Sequence, residues 1–127
     1  MINWLEQNRY IAIIFTVLIA LEIFYISSIP GASITTSGIT FDITVLYHLI
    51  VFFLFAFFVL TSIKGERRIK VKHIIIVLAV SIAYAFLDEF HQMFVPLRIA
   101  DFFDILVDIT GIFLATLLYV FIDKNKI

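Results

Sequence analysis

DEFHQMFVPLRIADFFDILVDITG, residues 88–111, interrupts a chain that is otherwise almost continuously apolar, and its reading decides the fold. Pro96 cannot continue a helix, and it pushes the residue before it out of helical backbone. Both flanks carry helical spacing. Asp88, Glu89 and Gln92 fall within one turn, and Asp101, Asp104 and Asp108 lie within roughly 60° of one another on a helix turning about 100° per residue. The stretch reads as helix, break, helix, with acids on both sides of the break.

Composition sets what surrounds it. Of 127 residues, 63% are hydrophobic and 15% charged, against roughly 45–50% and about 25% for a soluble domain. The chain is therefore expected in a membrane. It has no Cys, which excludes disulfides, a thiolate nucleophile and Cys-ligated zinc. Nothing in it supports nucleic-acid binding: net charge is -1, and the one strongly basic segment, residues 64–73, is short.

The apolar runs predict an all-α integral membrane bundle, a single domain over residues 1–127. Four transmembrane helices are expected over about residues 10–26, 43–63, 74–90 and 103–122, with the Pro96 break between the third and fourth. Each approaches the roughly 20 residues that cross about 30 Å of hydrocarbon. Residues 1–9 read as a short polar lead. The first run is read as a retained span, because it is too long for a signal-peptide core, has no small-residue cleavage site after it, and contains Glu22. Residues 32–42 read as a Ser/Thr/Gly-rich connection.

Basic residues orient the bundle. Arg9, Lys64, Arg67, Arg68, Lys70, Lys72, Lys124 and Lys126 fall on one side and Arg98 alone on the other, so both termini are expected to be cytoplasmic in the plasma membrane. Glu22, His48, Asp88, Glu89, Asp104 and Asp108 then lie in the outer third of the bilayer, while the cytoplasmic halves read as apolar. Ionisable groups at such depth face a bundle interior or a wet cavity and mark function. Plainer readings stand beside this one. His48 and Glu22 are also readable as packing groups bonded across helices, and Asp88 and Asp101 as hydrated interface residues. Ser81, Tyr84, Thr110 and Thr116 are expected to bond their own helix or a neighbour. Phe52, Phe53, Phe55, Phe57 and Phe58 cover every face of the second helix and read as lipid-facing or core bulk.

The run from Asp88 to Arg98, followed by Asp101, Asp104, Asp108 and Gly111, resembles the signature of the VanZ-like family, small membrane proteins named for a teicoplanin-resistance accessory protein. In that family a Glu and a Gln three apart precede a Pro-containing turn and an Arg; an Asp follows, then usually an Asn and a Gly. Glu89, Gln92, Arg98, Asp104 and Gly111 match those positions. Ser27, Ser28 and Pro30 resemble its Ser-Ser-x-Pro at the end of the first helix, and His48 its His on the second. Two positions depart: Asp108 stands where Asn is general, and Val45 where many members have a Lys before the His. The resemblance implies a cell-envelope role, similar to antibiotic-resistance accessory proteins, and little chemistry.

The residues themselves offer several chemistries. Glu22, Asp42, Asp88, Glu89, Asp101, Asp104 and Asp108 face Arg98 and two histidines, an excess that cannot all stay ionised in a confined, low-dielectric place. One route is a divalent cation, Mg²⁺, Ca²⁺ or Mn²⁺, held by Asp104 and Asp108. With it, Glu89, His48 and Asp104 are candidate catalytic groups, and Arg98, Gln92, Glu22 and His91 would bind a membrane lipid or lipid-linked envelope precursor. The second route is protonation of the acids, giving a binding pocket without turnover and a noncatalytic accessory protein. An ion or proton carrier is the weakest reading, since apolar cytoplasmic halves offer no relay. Whether the protein is an enzyme stays open at this point. Arg98 is expected to pair with Glu89 or Asp104.

Overall fold

A computed structural model describes residues 2–31 and 39–125, with side chains for all of them except 39–42. The connection over residues 32–38 and the side chain of Asp42, counted above among the acids, lie outside the described residues. Five helices follow in order: α1 Ile2–Gln7, α2 Arg9–Ser27, α3 Ile39–Lys64, α4 Val71–Gln92 and α5 Phe102–Lys124. The last four are long and apolar enough to cross a membrane. Ile, Val and Phe are indifferent helix formers in water. In hydrocarbon the helix is nonetheless imposed, because each backbone polar group must find its partner within the segment. The residues taken as a polar lead form α1, and its Leu5 and Glu6 are buried.

The ends of the helices follow local chemistry. The carboxylate of Asp101 accepts from the Phe103 N–H at 2.9 Å and caps the start of α5. Gly65, at φ 56, ends α3 in the left-handed conformation that a glycine adopts without penalty. Between them, α3 and α5 make the closest contact in the bundle. A Cβ on Gly111 would collide with the Leu49 carbonyl, so the two backbones approach as only a residue without a side chain permits. Phe52, Leu60, Ile112, Ala115 and Tyr119 fill the core around that crossing, joined by Ile23 of α2 and Val77 of α4. Phe52 and Phe55 are core, while Phe53, Phe57 and Phe58 are half-buried. Thr110, Thr116 and Tyr84 donate to Leu106 O, Ile112 O and Ala20 O, whereas the Ser81 hydroxyl is buried without a partner among the described residues.

One end of the bundle gathers α1, the end of α5 and the α3–α4 turn. Lys64 Nζ lies 2.9 Å from Glu6 and 3.0 Å from Asp123, both buried. The Tyr119 hydroxyl donates to Glu6 at 2.7 Å, and the Ile69 N–H and Arg68 Nη1 donate to Asp123 at 3.0 Å each. The expectation that this half is apolar is therefore corrected. Its charges are hidden from a linear reading because Glu6, Lys64 and Asp123 are brought together only by the packing of α1 against the C-terminal ends of α3 and α5.

Candidate functional site

The opposite end is built on the turn between α4 and α5. The Arg98 N–H donates to Val95 O at 3.2 Å, closing a β-turn with Pro96 second and Leu97 third, at φ 63. That pairing of a fixed negative φ with a positive one is the type II pattern. The first residues after α2 lie against this turn backbone to backbone: the Gly31 N–H donates to Pro96 O at 3.2 Å, and a Cβ on Gly31 would collide with the Leu97 carbonyl.

This contact seats Arg98 beneath the end of α2, where Nη2 donates to Ile26 O at 2.7 Å and Nε to Ile29 O at 3.1 Å. The expected pairing of Arg98 with Glu89 or Asp104 is thereby corrected. The last carbonyls of a helix have no intrahelical donors and carry the negative end of its dipole, so a guanidinium that reaches them needs no carboxylate.

Most of the acids hold other groups. Asp88, read from sequence as a hydrated interface residue, is buried; it accepts from the Ser27 hydroxyl, and from Gln92 Nε2 at 3.0 Å. Glu89 accepts the Asp101 N–H through Oε1 and so pins the start of α5 to α4, while its buried Oε2 has no partner among the described residues. Asp108 Oδ1 lies 2.9 Å from His48 Nδ1, both side chains buried, and Asp108 Oδ2 is likewise unpartnered. The Gly111–Leu49 approach sets this pair, since Asp108 lies one turn before the glycine and His48 beside Leu49. Asp101, Asp104 and Asp108 thus part company: the first is an exposed cap, the second is half-buried, and the third is buried. Among the described residues, no three His, Cys, Asp or Glu side chains converge as ligands for an ion. His91 bonds the Ser28 hydroxyl at 2.9 Å and stacks on Phe24, and Glu22 is exposed on α2.

A cavity of about 290 Å³ opens here. Ile26 and Ser27 of α2, Ile43, Thr44, Tyr47 and His48 of α3, Gln92 of α4, and Arg98 of the turn line it. Among the described residues no carboxylate belongs to this lining. The acids stand one layer behind it, Asp108 against His48 and Asp88 against Ser27 and Gln92, so that they orient donors and do not face the ligand space themselves. Asp108 holds the Nδ1 side of the His48 ring, and His48 itself borders the cavity. Ser27, Thr44 and Tyr47 received no role from the sequence. Ser27 was marked only by the Ser-Ser-x-Pro resemblance at a helix end, and Thr44 and Tyr47 only by their helical spacing with His48, which is ordinary in a bundle.

No curated protein and no solved structure matches the chain. The profile of the VanZ/LLP1 family matches residues 3–123, nearly the whole length and all four spanning helices. The chain is an integral membrane protein and belongs to the VanZ/LLP1 family.

Proposed function

We propose that this protein binds the anionic headgroup of a lipid or lipid-linked cell-envelope precursor in the turn-end cavity, with that end facing outward from the plasma membrane. The observation that carries the reading is the lining. Guanidinium, imidazole, hydroxyl and amide groups face the space and carboxylates stand behind them, which suits phosphate oxygens and repels little. Ile26 and Ile43 beside these donors suit the apolar part of an amphipathic molecule.

Binding is tested on purified protein in detergent by native mass spectrometry with phosphorylated and unphosphorylated lipids. Retention of the phosphorylated forms should fall about tenfold in His48→Ala and in Arg98→Gln; equal retention by both variants and the parent would refute the site. The orientation is tested by single Cys substitutions in this Cys-free chain. An impermeant thiol reagent should label Leu97→Cys in intact cells and leave Glu66→Cys untouched, and the reverse pattern would invert the assignment.

The His48–Asp108 pair favours a second reading, in which the bound molecule is also modified. A carboxylate fixing Nδ1 of an imidazole that borders a ligand space is how such a ring is prepared to take a proton from a hydroxyl or water through its other nitrogen. Lipid profiles of cells carrying the native protein or His48→Gln separate the two readings. A lipid species changed only by the native form indicates turnover, and identical profiles indicate binding alone.

A further inference from the structure

The turn between α3 and α4, residues 65–70, and the turn between α4 and α5, residues 93–101, present different surfaces. The first exposes Glu66, Arg67, Arg68 and Lys70, and no large apolar side chain is exposed among the described residues there. The second exposes Met93, Phe94, Ile99 and, where α5 begins, Phe102; Phe94 is 72% and Ile99 87% exposed. From Met93 to Ala100 its one charged residue is Arg98, and that guanidinium already donates to the carbonyls of Ile26 and Ile29. The turn thus holds its bulkiest side chains outward with its only charge engaged, and an apolar patch of this kind marks a surface that meets something other than water.

That patch continues the lipid-facing surface of the bundle. Leu87, Phe90 and Phe94 recur at three and four residues and so share one face, which the Phe94 N–H, donating to His91 O at 3.0 Å, carries past the end of α4. All three are exposed, and the Phe90 and Phe94 rings lie 5.2 Å apart. Phe102 and Leu106 begin an exposed stripe on α5 in the same way. With 22 residues, α4 rises roughly 33 Å at about 1.5 Å per residue, against roughly 30 Å of hydrocarbon. The turn therefore starts where the hydrocarbon ends, and the β-turn closed by Arg98 and Val95 keeps its tip near the helix ends. The headgroup layer beyond is roughly 5–8 Å deep on each side. A segment at that level is stabilised when its apolar side chains reach back among the acyl chains.

We infer that the α4–α5 turn is a lipid anchor, lying in the headgroup layer with Phe94, Ile99 and Phe102 inserted among the acyl chains and Leu97, at its tip, nearest the water. The anchor holds whatever the cavity binds, and it fixes the depth at which Arg98 is presented to the leaflet. Trp4 is the chain's only tryptophan, so Trp4→Phe gives a dark background for the test. Phe94→Trp, Ile99→Trp or, in the opposite turn, Glu66→Trp is added to it singly, and each protein is checked against the melting temperature of Trp4→Phe. The proteins are reconstituted into phosphatidylcholine vesicles with and without brominated acyl chains, and iodide is supplied on both faces. Emission from positions 94 and 99 should be lost mainly to bromine, and emission from position 66 mainly to iodide. A ratio of bromine to iodide quenching no higher at either of the two positions than at 66 places the turn in water and overturns the anchor. Emission at 94 and 99 that neither agent quenches shows the turn covered by protein, whether residues 32–38 or a second copy, and overturns it too.

Discussion

Both ends of the bundle bury charge, and they treat it in opposite ways. At the terminal end Lys64 sits between Glu6 and Asp123, and backbone and phenol donors supply further bonds. Among the described residues, neither the turn-end cavity nor two further hollows beside α3 are lined by Glu6, Lys64 or Asp123. At the turn end Glu89 and Asp108 each keep a buried oxygen without a donor among the described residues, and the Arg98 guanidinium donates instead to the carbonyls of Ile26 and Ile29, at the end of α2 and just beyond it. Buried polar groups left incomplete are costly, and a fold keeps them where something other than stability is served. The comparison separates a clamp from a site inside one small molecule.

The sharpest way to break that comparison is to remove the cation at the centre of the clamp, Lys64. Lys64→Met would leave two acids buried beside one another with nothing to offset them, a loss of about 3–5 kcal/mol. Its melting temperature in detergent should fall far more than that of Asp88→Asn at the turn end. Adding Glu6→Gln and Asp123→Asn to Lys64→Met should restore much of the loss, because neutral partners carry no stranded charge. If the triple variant is no more stable than Lys64→Met alone, the three residues are not a closed unit.

Gly111 tests how the turn-end pair is set. An alanine there would press its Cβ into the Leu49 carbonyl, and overpacking of a tight crossing costs about 1–3 kcal/mol. The helices must separate to admit it, which pulls Asp108 from His48. Gly111→Ala should therefore lose ligand retention as well as stability, whereas Asp108→Asn should keep nearly all of the stability and lose retention. Retention unchanged in Gly111→Ala would show that the crossing does not position the pair.

The spans were legible because twenty apolar residues in a row have one stable solution in a bilayer, and each expected span lies within the helix observed. Pro96 announced the turn for an equally local reason. What stayed hidden was partnership. Glu6 and Lys64 are 58 residues apart, and nothing in the polar lead marked its acid as buried. Arg98 was expected to seek a carboxylate because charge is visible in a sequence, while the orphan carbonyls of a helix end are not. Asp88, Asp104 and Asp108 were visible as a set of acids. That two of them stand behind the cavity lining, holding Ser27, Gln92 and His48, depends on side-chain directions that spacing alone does not give.

The smallest expected effect lies in the turn that joins the two regions' chemistry to the backbone. Leu97 holds φ 63 at the third position of a Pro96 turn, where glycine is the usual occupant. A residue other than glycine held there costs about 1–3 kcal/mol, and Leu97 regains little by packing, since it is 73% exposed. Its carbonyl, by contrast, is the surface on which Gly31 rests, and a change of side chain leaves that carbonyl in place. Leu97→Gly should therefore relieve the turn, offset by the greater freedom glycine has in the unfolded chain, for a net gain of about 0.5–1 kcal/mol. Leu97→Val, branched at Cβ, should lose stability by a similar amount. Neither should alter ligand retention, because the Arg98 contacts to Ile26 and Ile29 depend on the turn's path and not on this side chain. A melting temperature that falls further for Leu97→Gly than for Leu97→Val would show that the turn is unstrained and that the leucine is held there by its contact with lipid.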